Sequence, residues 1–251
     1  MENLRISTMT AIGSLNNHIH LENLYKNVEI NDTIKYIEYG CQGYKGFSKK
    51  NNKKRKNTKK TFYNQLTIHI LTDKLVNVKV FNNGKIQMTG LKYSEQGKQI
   101  IRLLIDEINK LNYDEIYING EYPVTYSNYD IVLINSDFDI KYEINREVLH
   151  KEIIKAGYYS SFESCIYPGV NIKYYFNNTQ NNGICCCNRV CNGKGIGDSD
   201  GNCKKITIAV FASGKIIITG AKTTDQLVIS YNFISSFINS RKELFQLNQP
   251  Q

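Results

Sequence analysis

No apolar run in the 251 residues approaches the ~20 consecutive positions that a helix needs to cross a bilayer. The opening stretch MENLRISTMTAIG lacks the apolar h-region of a secretory signal. Together these absences predict a soluble, intracellular protein with no membrane partner. Catalytic signatures are missing as well. His18, His20, His69 and His150 are scattered with no H-E-x-x-H spacing, and no G-x-S-x-G or Walker sequence occurs. No pair of carboxylates is spaced for acid–base work. A non-enzymatic protein is expected.

Acid is absent from one stretch in particular. Residues 45–60 (KGFSKKNNKKRKNTKK) hold eight Lys, one Arg and neither Asp nor Glu. The formal net charge is +9, yet without this stretch the 32 basic residues fall to 23, equal to the 23 acidic ones. The basic excess that suggests a polyanionic partner is therefore one local patch. Cysteines number seven, at 41, 165, 185, 186, 187, 191 and 203. The count is odd and three are consecutive, a poor pattern for disulfides, so reduced thiols in a reducing compartment are expected.

What the chain does contain is a repeat. VFNNGKIQMTGLK (80–92) returns as VFASGKIIITGAK (210–222). At a constant offset of 130, residues 80–109 and 210–239 share Val80/Val210, Phe81/Phe211, Gly84/Gly214, Lys85/Lys215, Thr89/Thr219, Gly90/Gly220, Lys92/Lys222 and Gln96/Gln226. Upstream, IHLENL (19–24) matches INREVL (144–149) more weakly. Two copies predict two pseudo-symmetric halves, since a solenoid needs three or more.

Each half orders its elements alike: an alternating segment, a short helix, extended segments, a Gly-Lys turn and a longer helix. The helix beginning at Ser94, its expected N-cap, carries Ile100, Ile101, Leu104, Ile105 and Ile108 at helical spacing. The second begins at Thr223 or Thr224. Strands packed on long helices predict an α+β fold. Alternation puts Ile86 and Met88, and Ile216 and Ile218, on the helix side. Lys85, Gln87 and Thr89, with Lys215, Ile217 and Thr219, fall on the other. That face suits a nucleic-acid floor, and equally an ordinary solvent face with one stray isoleucine. The halves are placed at 1–112 and 129–240, with a linker at 113–128 and a tail at 241–251.

The doubled pattern F-x-x-G-K-x-x-x-T-G-x-K, each copy followed by a long helix, resembles the TATA-box-binding protein family. The resemblance runs over residues 4–240 and is strongest at 78–109 and 206–239. Its extra segments resemble divergent forms encoded by large DNA viruses. It implies a saddle of ten curved antiparallel strands with helices on the convex back. The underside would enter the minor groove of A·T-rich promoter DNA and bend it in transcription initiation, a mode for which this family is itself the standard example.

Carried over residue by residue, Phe81 and Phe211 occupy one wedge position of each half. The segments EYGCQGY and FESCIYPG put Tyr44 and Tyr167 at the other, with tyrosine in place of phenylalanine. Lys85, Lys92, Lys215 and Lys222 match phosphate-contacting lysines. Thr89 and Thr219 match groove-floor threonines, and Gln87 and Ile217 match apolar floor positions. Thr8 and Leu133 stand where the family has two central asparagines, with Asn135 two residues away. Leu133 cannot donate to a base, so strict preference for the usual sequence is in question. Glu163 matches one contact to the B-type general transcription factor, while Cys165 replaces another. Expected partners are double-stranded DNA, that B-type factor and RNA polymerase, with the protein acting as a monomer. A viral source implies the host nucleus or a cytoplasmic replication site.

Two insertions interrupt the pattern, and both are read as preceding the third strand region of their half. The lysine-rich run at 45–60 reads as a solvated loop that contacts flanking phosphates, serves localisation or stays passive. The cysteine-rich segment 177–203 contains too little apolar area to fold by packing alone. Cys191 and Cys203, with two of Cys185, Cys186 and Cys187, would make a four-thiolate zinc site, with Cys185 and Cys187 preferred. A metal-free thiol loop is the alternative. Two rival functions stand beside DNA bending. One is an interaction scaffold for polymerase or regulators with only non-specific DNA affinity, and the other is binding of single-stranded RNA through exposed tyrosines.

Overall fold

The structure is a computed structural model, described over residues 4–40, 42–47, 63–118, 123–180 and 182–247. Residues 8–132 form one compact unit, and residues 133–251 with residues 1–7 form the other.

The first unit takes in most of β1 (Arg5–Leu15). It continues through β2 (His18–Ile19), α1 (Leu21–Asn27), β3 (Ile34–Tyr39), β4 (Gly43–Gly46), β5 (Gln65–Leu71) and β6 (Leu75–Phe81). It ends with β7 (Lys85–Leu91), α2 (Ser94–Asn109), α3 (Tyr113–Ile116) and β8 (Tyr117–Ile118). Its antiparallel sheet runs β1-β7-β6-β5-β3-β4, and β2 and β8 pair as a separate ribbon. Strand period and helix period meet in the core. Val76, Val78, Val80, Ile86 and Met88 are buried on alternate positions. α2 packs on β7 and buries Ile100, Ile101, Leu104, Ile105 and Ile108. Each such side chain contributes roughly 1.5–3 kcal/mol when fully buried.

The second unit holds the later part of β9 (Tyr126–Asp139), then α4 (Arg146–Lys155), β10 (Tyr159–Glu163), β11 (Tyr167–Phe176), β12 (Lys204–Val210), β13 (Lys215–Ala221), α5 (Thr224–Asn239) and α6 (Lys242–Phe245). Its antiparallel order is β9-β13-β12-β11-β10.

The offset of 130 survives into three dimensions. β13 and α5 have the bounds of β7 and α2 displaced by that number. The hairpin registers agree pair for pair: Val80↔Ile86 and Asn77↔Thr89 in the first unit, Val210↔Ile216 and Thr207↔Thr219 in the second. Both hairpins turn through a glycine in the left-handed region, Gly84 at φ +78° and Gly214 at φ +80°. A Cβ there would fall 2.3 Å from the Asn17 carbonyl oxygen in one unit and 2.2 Å from that of Tyr142 in the other. Only glycine meets both demands.

Several details differ from the sequence-based expectation. Ser94 is not the cap of α2. That position belongs to Tyr93, which makes no side-chain cap bond, while the Ser94 carbonyl accepts from the Tyr129 hydroxyl at 2.6 Å. In α5, Thr223 does cap, accepting from the Gln226 N–H at 3.2 Å. Residues 113–118 and 126–128 of the expected linker are structured as α3, β8 and the start of β9. In the expected tail, Phe245 is fully buried and stacks on Phe237 with ring centroids 6.1 Å apart. The two insertions also occupy different places. The lysine-rich run begins at the end of β4 and lies ahead of β5, with residues 48–60 outside the described residues, whereas the cysteine-rich segment joins β11 to β12. In the first unit the corresponding link, β5 to β6, is the tight turn Thr72–Lys74.

Candidate nucleic-acid interface

With helix cores on one side, each sheet presents its alternate residues on the other. In the first unit, register aligns Ile12, Gln87, Lys79, Thr67, Glu38 and Tyr44 across six strands. Beside that row run Thr10, Thr89, Asn77, His69 and Tyr36. Apart from Ile12, which is 41% exposed on β1, the face is largely polar, and it is internally bonded. Asn77 Nδ2 lies 3.1 Å from His69 Nε2, and the Tyr36 hydroxyl donates to Glu38 at 2.9 Å. Gln87 is half-buried and Thr89 exposed.

In the second unit the rows are Asp137, Ile217, Ala209, Asn171 and Ser161, and Asn135, Thr219, Thr207, Lys173 and Tyr159. Ile217 is 39% exposed, so an apolar side chain meets solvent at the middle of the face. Thr219 Oγ1 donates to Asn135 Oδ1. Lys173 donates to Thr207 Oγ1 at 3.0 Å. Burial, and then the charge of Lys205, holds Lys173 below the usual lysine range. Asp137 places a carboxylate on this floor. Arg5 donates to it at 2.8 Å and Ser7 Oγ donates to its other oxygen.

Register also shows how the two central segments correspond. Thr10 faces Thr89 as Asn135 faces Thr219. The counterpart of Asn135 is therefore Thr10, which is buried, while Thr8 corresponds to Leu133. Thr8 and Leu133 are both half-buried, and Thr8 Oγ1 makes a long 3.5 Å bond to the Met9 carbonyl.

The aromatic positions separate into two kinds. In the second unit, Tyr167 and Phe211 meet edge to face, centroids 5.8 Å apart at 61°. Gly169 lets them do so, because a Cβ there would lie 2.8 Å from Tyr167 Cε1 and 3.3 Å from Phe211 Cε1. In the first unit, Phe81 is half-buried at the end of β6, but Tyr44 stacks on Tyr36 at 5.8 Å instead of on Phe81. Register explains the mismatch. Leu66 pairs with Val80 as Val170 pairs with Val210. Counting back from these pairs, Tyr63 holds in its unit the place that Tyr167 holds in the other. Tyr63 is 68% exposed. The first-unit counterpart of Tyr167 is thus Tyr63, not Tyr44. The lysine-rich run separates the E-Y motif from β5, so a motif read straight through stops at the wrong tyrosine.

Cations flank both faces. Lys85, Lys92 and Lys215 are exposed and Lys222 is half-buried. Lys74 and Lys204, also 130 apart, join them. Burial, and then the charge of Lys92, pushes Lys74 below the usual lysine range, and burial followed by Lys222 does the same to Lys204. Two cations held together attract an anion more than either alone. No motif in the sequence points to Lys74 or Lys204, although the offset marks them. Glu163 is exposed and pairs across the β10–β11 turn with Tyr167, next to the exposed Cys165. Away from the sheet faces, the thiols of Cys185, Cys187, Cys191 and Cys203 converge, every sulfur within 4.8 Å of the others.

The profile described as "Transcription factor TFIID (or TATA-binding protein, TBP)" matches residues 200–240, the stretch of β12, β13 and α5. A "TATA-box-binding protein-like" protein of Acanthamoeba polyphaga mimivirus is 30% identical over 252 residues, an alignment covering 94% of this chain. The chain spans 65% of that protein's length. Among solved structures, Methanococcus jannaschii TBP superposes with a TM-score of 0.54 over 96% of this chain and 99% of its own, at 16% identity.

Proposed function

For a chain that is TATA-box-binding-protein-like in sequence and in fold, we propose minor-groove binding that wedges and bends A·T-rich promoter DNA during transcription initiation. One observation carries this reading. The repeated hairpin puts Phe81 and Phe211, Lys85 and Lys215, and Thr89 and Thr219 at equivalent points on the helix-free face of each unit. A minor groove offers the same acceptors for A·T and T·A. Threonine hydroxyls and the apolar Ile217 fit such a floor without reading every base. Phenylalanine edges at the strand ends are placed to part a base step, which costs a few kcal/mol that wrapped surface repays. Lysines at the margins release counterions from the phosphates. The role is non-catalytic and the active form a monomer. Glu163 and the exposed turn after it offer a contact for a B-type general transcription factor, with RNA polymerase recruited in turn.

Asp137 favours a second reading. A carboxylate on the floor repels the groove, and Cys165 removes one partner contact. A protein-interaction scaffold with only non-specific DNA affinity accommodates both.

End-to-end fluorescence transfer on a short duplex with an A·T-rich centre separates the two, with a G·C-rich duplex and a single strand run alongside at near-physiological salt. Bending restricted to the A·T duplex, and abolished by Phe81→Ala/Phe211→Ala, supports the first reading. Equal, unbent binding to both duplexes supports the scaffold. Preference for the single strand would overturn both.

A further inference from the structure

We propose that Cys185, Cys187, Cys191 and Cys203 bind one zinc ion, which fastens the cysteine-rich loop onto the second unit. A tetrahedral zinc with bonds of about 2.3 Å to sulfur requires sulfurs roughly 3.8 Å apart. Cys203 Sγ lies 3.8 Å from Cys185 Sγ and 3.3 Å from Cys187 Sγ, and all four fall within 4.8 Å. These separations far exceed the roughly 2.05 Å of a disulfide, and all four cysteines are free.

The backbone explains which thiols take part. Residues 185–187 run without helix or turn, and the sulfurs of Cys185 and Cys187 both reach the cluster. Cys185 and Cys187 face inward together, and Cys186 is left exposed. Asn177 is 4% exposed, and its Nδ2 points at Cys203 Sγ from 3.5 Å, a bond that orients the sulfur as hydrogen-bond partners orient metal ligands. Gly193 makes its turn at φ +70°, where a Cβ would fall 2.6 Å from Lys205 Cβ. Lys205 therefore packs over this turn.

Around this cluster the loop buries little apolar area, so metal binding supplies what packing does not. Its fastening points are polar. Gly193 O accepts from Lys205 N–H at 2.8 Å, Gly197 O from Asn178 N–H at 2.7 Å, and Ile196 O from Gln226 Nε2 at 2.9 Å. Zinc is preferred because a closed four-thiolate tetrahedron is its structural site and needs no redox partner; the same donors also suit iron.

The test is elemental analysis of the whole chain, purified reduced and without chelator. The expected result is one zinc per chain, retained in Cys186→Ser and lost in Cys191→Ser and Cys203→Ser. Because those variants can fail by misfolding, wild type is examined too. Chelator should expose four further thiols to a thiol reagent and open residues 177–203 to protease. Cobalt added to the stripped chain should then give the intense charge-transfer bands of a tetrahedral tetrathiolate. Iron or copper in place of zinc would overturn the assignment. So would a metal-free chain whose thiols and protease pattern ignore the chelator. Neither result bears on DNA bending, which is read separately.

Discussion

The edge of one ring meets the face of the other where Tyr167 stands beside Phe211, centroids 5.8 Å apart at 61°. Gly169 is what leaves room for them. The first unit has Gln65 opposite Phe81 and Tyr63 two residues earlier, with no comparable pairing to Tyr44.

Tyr63 and Tyr44 are therefore distinguishable by mutation. Tyr63→Ala should lower duplex affinity by roughly five- to 150-fold, as removal of one base–aromatic stack of about 1–3 kcal/mol predicts. Tyr44→Ala should leave affinity and bend unchanged. Fluorescence anisotropy on the A·T duplex measures both, and the reverse order would restore Tyr44 to the wedge.

Gly169→Ala introduces a methyl 2.8 Å from Tyr167 Cε1. Only the rings of Tyr167 and Phe211 must give way, so thermal unfolding should move by a few degrees at most. Duplex bending should fall clearly, because the wedge pair is pushed apart. A large loss of melting temperature with bending intact would refute this account.

Asp137→Asn removes a negative charge from the floor of the second unit. Its ion pair with Arg5 is solvent-exposed, with side-chain exposures of 32% and 74%, so stability should change by no more than about 1 kcal/mol. Affinity for duplex should rise several-fold, measured at fixed salt. A fall in affinity would mean that the Arg5–Asp137 pair itself positions the DNA.

Lys85→Ala/Lys215→Ala should weaken all duplexes alike, whatever their sequence. The slope of log affinity against log salt should flatten by roughly 0.9 for each phosphate that is no longer neutralised. A change confined to A·T-rich duplexes would show that these lysines read bases instead of phosphates.

Gln96 and Gln226 are both buried. Each accepts from a backbone N–H four residues before it, Lys92 and Lys222, at 2.8 Å. Replacement by Ala strands that donor and should cost about 1–3 kcal/mol in urea unfolding. Gln226→Ala should in addition make residues 177–203 more sensitive to protease, since it severs the 2.9 Å bond to Ile196 O. Equal protease patterns for the two variants would deny Gln226 that second role.

What the sequence could convey was whatever obeyed a period. The offset of 130 locates both hairpins and both long helices, and alternation alone separates Met88 and Ile218 from Thr89 and Thr219. Tyr63 stays hidden because an insertion of arbitrary length breaks the count between motif and strand. Asp137 stays hidden for another reason. Its face can be read from the alternation of NSDFDI, but its partners Arg5 and Ser7 are more than a hundred residues away. The cap of α2 misleads because Ser94 is a good cap by type, whereas Tyr93 takes the position and Gln96 satisfies the neighbouring N–H.

The two added segments interrupt non-equivalent loops, one between β4 and β5 and the other between β11 and β12. The matched hairpins keep one register while the connections diverge, so a pseudo-symmetric chain gains its asymmetry in its links: lysine-rich sequence in one unit and cysteine-rich sequence in the other.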